Sequence, residues 1–231
     1  MRRGIRIGFI GLVIAAATAC AVQAAWKADF TPSKWNPAVG DVVNFSVCDS
    51  CLGSGGVYRY LWDFNNDGTV DVDTDAEVVA CTFNAPGFYE VKLTVRDAGG
   101  REQTRTKGIV AGDYPVYCIR ELVPQNDGTM LVSMTVHVVS QCSAAGLREW
   151  IPAGWRPEVV DQGTTMFAPY FPETRELDAA WASVAPGDEL VFMYSLDSSY
   201  ASQVKTLSGE ISAYVKGDRI PEPVCGELSL P

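Results

Sequence analysis

An all-β protein built as two tandem antiparallel β-sandwiches is the fold class this sequence predicts, and three observations predict it. Apolar side chains alternate with polar ones at period two along many short stretches. Gly, Pro, Asn and Asp cluster between those stretches at the spacing of hairpin turns. No helical period runs longer than a turn or two, the one exception to consider being 174–183. The division into halves follows the turn signals, with segments 25–112 and 113–231 each able to bury a core after a leader of 24 residues.

That leader reads as a cleaved signal peptide. Arg2, Arg3 and Arg6 precede an apolar run from Ile7 to Ala19, and Val22-Gln23-Ala24 offers small residues for cleavage after Ala24. A second reading takes Ala17-Thr18-Ala19-Cys20 as a lipoprotein signal, with Cys20 lipidated. The apolar run is too short to span a bilayer, so the expected locations are periplasm, cell surface or medium. The chain holds 18 basic and 28 acidic residues, a formal −10. Cleavage leaves 15 basic against 28 acidic, a formal −13. Such a surface repels nucleic acid and anionic lipid.

Within the first half, Trp26 to Pro37 is a polar and aromatic lead-in, interrupted by Pro32 and Pro37. Val43, Phe45 and Val47 alternate with Asn44 and Ser46 as a half-buried strand. Tyr58, Tyr60, Trp62 and Phe64 put four aromatic rings on one pleat face, and Asn65-Asn66-Asp67-Gly68 turns the chain. Val70 to Asp75 is short and acidic, and Glu77 to Phe83 is a further strand. Tyr89, Val91, Leu93 and Val95 point inward from the next, which Asp97-Ala98-Gly99-Gly100 reverses into Arg101 to Val110.

In the second half, Tyr117 to Leu122 reads as a strand, followed by the turn Gln125-Asn126-Asp127-Gly128. Val132, Met134, Val136 and Val138 alternate with Ser133, Thr135 and His137. Leu190 to Leu196 and Ile211 to Val215 repeat the pattern. Leu147 to Trp155 ends in a Pro-Ala-Gly turn, and 218–231 reads as a tail held by Cys225.

The motifs Phe30-Thr31-Pro32, Gly40-Asp41, Tyr60-Leu61-Trp62-Asp63-Phe64, Asp67-Gly68, Phe83-Asn84-Ala85-Pro86-Gly87 and Val91 to Asp97 stand in one order. Together they resemble the PKD (polycystic kidney disease) domain, from about Phe30 to Ala111. The resemblance implies an immunoglobulin-like sandwich in an extracellular module. Such a module is a spacer or a mediator of protein or polysaccharide contact, and not a catalyst. Three cysteines depart from the family pattern. The second half resembles the immunoglobulin-like repeats that follow PKD domains in exported bacterial proteins, through Glu149 to Trp155 and Ser208 to Ser212.

Six cysteines remain after the leader: Cys48, Cys51, Cys81, Cys118, Cys142 and Cys225. An even number in an exported chain favours disulfides, and Cys48 or Cys51 with Cys81 is the preferred local pair. Three lie in each half, so either one bridge joins the halves or two thiols stay free. A zinc site at Cys48 and Cys51 lacks a second cysteine pair.

Candidate chemistry is sparse. No cofactor is expected apart from a calcium ion at Asp63, Asn65, Asp67 and Asp71. Oxygen donors at alternate positions, with Gly68 at the sixth, match the start of a calcium loop. Against it, Thr74 stands where a bidentate Glu belongs, and Asp63 and Asp67 can instead cap backbone N–H groups. The lone His137 has no Gly-x-Ser-x-Gly elbow to serve. Trp155, Tyr170 and Phe171 are the candidates for an exposed aromatic binding surface. The function expected is a non-catalytic exported module that contacts another surface protein. The alternatives are a carbohydrate-binding accessory and a small secreted hydrolase.

Overall fold

The computed structural model describes residues 26–48, 52, 58–197 and 205–230. The expected leader with its cleavage point, Cys20 and Cys51 all lie outside the described residues. Every regular element among those described is a β-strand.

The first half forms a sandwich from period-two strands. β1 (Phe30–Pro32), β2 (Val42–Val47) and β5 (Val78–Thr82) make a three-stranded sheet in the order β1-β2-β5. It packs on β3 (Arg59–Asp63), β4 (Val72–Thr74), β6 (Gly87–Arg96) and β7 (Glu102–Ala111), which lie side by side as β7-β6-β3-β4. Tyr60, Trp62, Phe64, Val91, Leu93 and Val95 are buried between the layers. Trp62 is the centre: Phe30 meets it edge-on at 5.2 Å, Phe45 lies at 5.7 Å, and Phe64 stacks at 5.9 Å. Offset and edge-to-face pairs of this kind add about 0.5–1.5 kcal/mol each beyond the area they bury.

The second half repeats the architecture with a different core. β8 (Val116–Pro124), β9 (Met130–Val138), β14 (Glu189–Asp197) and β11 (Arg156–Asp161) form one layer in the order β11-β14-β9-β8. The other layer is β12 (Tyr170–Phe171), β13 (Glu176–Ala182), β10 (Ala144–Trp150), β15 (Ser208–Val215) and β16 (Asp218–Pro223), in the order β12-β13-β10-β15-β16. The helical hint at 174–183 is therefore wrong. Leu177, Ala179 and Trp181 are inward at period two, so that stretch is a strand, β13.

The 218–231 segment is not a tail. It supplies β16 and then β17 (Cys225–Glu227), which runs antiparallel to β7 and parallel to β8. β17 thereby joins one layer of each half, β7-β6-β3-β4 and β11-β14-β9-β8, into one nine-stranded sheet. Gly226 sits opposite Arg120 and Gly108, whereas Glu227 sits opposite Lys107. Side-chain direction alternates along a strand. Arg120 turns into the second core, and Lys107 reaches the carbonyl of Phe30 in the first. The two smaller sheets thus cover opposite faces of the shared sheet.

Two polar clusters meet at this seam. Arg120 and Glu149, both essentially inaccessible, form a bidentate pair at 2.9 and 2.6 Å, and Tyr194 donates to the same carboxylate at 3.0 Å. Burial opposes the charge on Arg120, but the adjoining Glu149 carboxylate outweighs it and holds the guanidinium above its usual pKa. Arg120 also donates to the Glu227 carbonyl at 2.7 Å. The Glu227 carboxylate lies 3.2 Å from Lys107 and 2.5 Å from Arg105. The Arg105 contact is poorly directed, since neither Arg105 Nε nor Glu227 Oε2 has a well-formed hydrogen bond. Gly226 has φ +84°, and a Cβ there would meet the Arg120 carbonyl oxygen at 2.3 Å, so only glycine fits this crossing.

The cysteines correct the expected pairing. Cys81, Cys118, Cys142 and Cys225 are free thiols, and Cys48 alone of the described cysteines is disulfide-bonded. Cys81 pairs in register with Val43, five residues along the chain from Cys48. At about 3.3 Å per residue that separation far exceeds the roughly 7 Å a disulfide can bridge. Cys118 and Cys225 lie on neighbouring strands, yet Cys118 packs in the second core while the Cys225 sulfur faces the Trp35 carbonyl of the first half. They point to opposite faces of the sheet. Burial pushes the Cys225 thiol up to about 12.

Candidate functional site

The turn that follows β3 brings its acidic residues to its own backbone. Asp63 is buried, and its carboxylate accepts from the N–H groups of Asp67 at 3.2 Å and Gly68 at 3.0 Å. Asp71 accepts from the Phe64 N–H at 2.7 Å, and Asp67 from Thr69 at 2.8 Å. Asn65 bonds both the side chain and the N–H of Asp67. Lys92 stands 3.7 Å from Asp63. The N–H of Thr69 foremost, then the Asn65 side chain, hold the Asp67 carboxyl below its usual pKa. Among the described residues no group of three or more His, Cys, Asp or Glu side chains converges as a metal site would. What the arrangement does is brace a tight turn against Trp62 and Phe64.

The three aromatic candidates come apart. Trp155 is 8% exposed and belongs to the second core, which corrects the expectation that it stands in solvent. Its position after Pro152 and Gly154 folds the ring inward, where large rings bury most area. Tyr170 is half-buried, and Phe171, its neighbour on β12, is exposed. Trp155 and Tyr170 line one groove of about 740 Å³ with Pro157, Pro172, Arg156 and Arg175. Phe171 does not line it.

His137 projects from β9, stacks on Tyr117 at 4.6 Å and lies 3.4 Å from Glu189. This is a half-buried aromatic contact with a carboxylate beside it.

The sheet edges differ sharply in protection. β1 is three residues ending in Pro32, β16 carries Pro221 and Pro223, β12 has two residues, and β4 is short with Asp73. β11 carries Arg156, Glu158 and Asp161, and its register shifts between Val159 and Asp161. Short strands, prolines, charges and bulges are what blunt an edge against pairing. β5 has none of these. Its five residues, Val-Val-Ala-Cys-Thr, pair only with β2 among the described residues. Val78 is 53% exposed at one end of it, and Val42, opposite Thr82 at the other end, is 60% exposed. An uncharged pentapeptide with β-branched Val78, Val79 and Thr82 between Glu77 and Phe83 was visible in the sequence; that it lies at an edge was not.

Residues 27–111 match the family model described as PKD domain. A stretch of 90 residues is 39% identical to collagenase ColA of Clostridium perfringens, covering 38% of this chain and 8% of the collagenase. The chain thus spans a small fraction of that relative's length. Among solved structures, collagen adhesin (CNA) from S. aureus aligns with TM-score 0.31 and 10% identity over 87% of this chain and 95% of the adhesin. Chitinase ChiA74 from Bacillus thuringiensis aligns with TM-score 0.39 and 8% identity over 72% of this chain and 25% of the chitinase.

Proposed function

We propose that this chain, whose residues 27–111 are a PKD domain, is an exported, non-catalytic module that assembles with another extracellular protein by strand addition at β5. The observation that carries this reading is the β5 edge of the three-stranded sheet, which no described strand covers. An extended partner segment aligned on Val78–Thr82 gains a ladder of main-chain hydrogen bonds, and the exposed Val42 and Val78 give it apolar surface to cover. The family match and the all-β architecture support an extracellular binding role in general. The acidic balance supports a protein partner over nucleic acid or an anionic membrane.

The test uses the full chain with a photo-cross-linking residue at Ala80, mixed with the extracellular proteins of its source organism. The expected result is a discrete adduct that Val78→Lys abolishes, because a lysine on an edge opposes further pairing. Labelling that is absent, or unchanged by Val78→Lys, removes the reading. Circular dichroism of the Val78→Lys chain confirms that the sandwich itself is intact.

A further inference from the structure

A trough crosses the outer face of the five-stranded sheet in the second half, far along the chain from β5. Its floor is three cross-strand partners of minimal size, Ala180, Gly146 and Ser212, on β13, β10 and β15. At the usual strand spacing they span about 10 Å. The missing side chains leave a depression of about 350 Å³, at the small end of the roughly 300–1,000 Å³ typical of ligand sites. Two rings border it. Phe167 bridges to Ala180 and is 50% exposed; Tyr214 is 38% exposed and leans over Gly146.

The polar groups around the trough are prearranged. Along one side Arg148 and Asp178 form a bidentate pair, both bonds at 2.8 Å, and Arg219 pairs with Glu210. Ser212 lines the trough, and its hydroxyl is buried with no hydrogen-bond partner among the described residues. An unpaired buried hydroxyl is costly to keep unless something supplies the missing bond.

We infer that this trough is a binding site for an uncharged polysaccharide chain. The two rings offer faces for the C–H surfaces of sugar units. The Arg148–Asp178 pair presents a fixed donor beside a fixed acceptor, which matches vicinal hydroxyls, and Ser212 gains the partner it lacks. Both guanidiniums at the trough are already held by carboxylates, Arg148 by Asp178 and Glu176 and Arg219 by Glu210, so neither is free to hold an anion. A peptide is disfavoured because the strands of the floor already pair on both sides, leaving no backbone ladder to extend.

Electrophoresis of the full chain in native gels containing a soluble β-glucan, a galactomannan or a xylan tests this, with polygalacturonate as the charged comparison. The expected result is retardation by at least one neutral polymer and none by polygalacturonate. Phe167→Ala and Gly146→Val each weaken the association by about tenfold or more. Gly146→Val fills the trough, and its Cβ meets only the Tyr214 ring, at 3.8 Å. Thermal melting checks that both variants fold. Val78→Lys leaves the retardation unchanged, which separates this site from the β5 edge. No retardation by any of the neutral polymers overturns the inference, as does retardation that both trough substitutions leave intact or retention by polygalacturonate alone.

Discussion

The two sandwiches share one sheet yet hold their layers together differently. The first closes around aromatic rings, with Phe30, Phe45 and Phe64 gathered about Trp62 and Phe83 packed on Phe45. The second has a mainly aliphatic core, Val132, Val136, Leu147, Leu177, Leu196 and Ile211 among its members, and runs a buried Arg120–Glu149 pair between its layers. Ring packing depends on area and tolerates small shifts. A buried bidentate pair demands one geometry and penalises any loss of a partner. The difference teaches that the second half is set in register by a polar lock, and that Glu227 links this lock to the first half.

The largest effect should come from breaking the link. A chain ending at Pro223, or one carrying Gly226→Ala, loses β17 or forces a Cβ into the Arg120 carbonyl. Differential scanning calorimetry should then show a melting midpoint lower by at least about 10 °C, with the two halves unfolding separately. A single unshifted transition would mean that β17 adds nothing to the seam.

Next in size is the contrast between the cores. Glu149→Ala strands Arg120 in the interior and should cost about 3–5 kcal/mol in urea unfolding. Trp62→Ala should cost a similar ~3–5 kcal/mol by leaving a cavity. The double change Arg120→Met with Glu149→Leu separates the mechanisms, because removing both charges should return most of the loss. If it stays as unstable as Glu149→Ala alone, the pair is not the lock described here. Gly209→Ala should mimic the loss of the pair, since its Cβ would lie 1.7 Å from Glu149 Oε1.

A smaller effect tests the turn beside Trp62. Asp63→Ala removes an acceptor from two backbone N–H groups and should cost about 1–3 kcal/mol. With those carboxylates already engaged, millimolar calcium should move the melting midpoint by less than about 1 °C relative to chelator. A larger rise would show that the ion displaces the N–H contacts.

The smallest difference is in acid. Asp41, Asp67 and Asp97 in the first half have pKa values held below 3.8, by the Lys34 side chain and by the N–H groups of Thr69 and Arg101 respectively. In the second half Asp127 is lowered by Thr129, whereas burial raises Glu222 above 4.5. A depressed carboxylate stabilises the fold above its unfolded pKa and loses that contribution as pH falls through the folded value. The raised Glu222 acts oppositely, contributing below 4.5 and losing it as pH rises. Hydrogen exchange by half should therefore show the first sandwich loosening slightly before the second on acidification below pH 3.8. Equal loosening in both halves would refute the assignment.

Much of this protein was legible in one dimension. Alternation fixes which face of a strand is apolar, because side-chain direction has period two whatever the strand pairs with. Trp62, Leu93 and Val136 could therefore be placed in cores from their neighbours alone. The turn chemistry of Asp63 and Asp67 was readable too, being local. Pairing partners are another matter, since they depend on residues far apart in the chain. The pairing of Cys81 with Val43, five residues short of Cys48, the placement of β17 between β7 and β8, and the alignment of Ala180, Gly146 and Ser212 into a trough are facts of register. Composition and periodicity settled the class of fold, since they act residue by residue. The tertiary structure decided which edge stays open and which small residues face one another, because only cross-strand hydrogen bonding sets those distances.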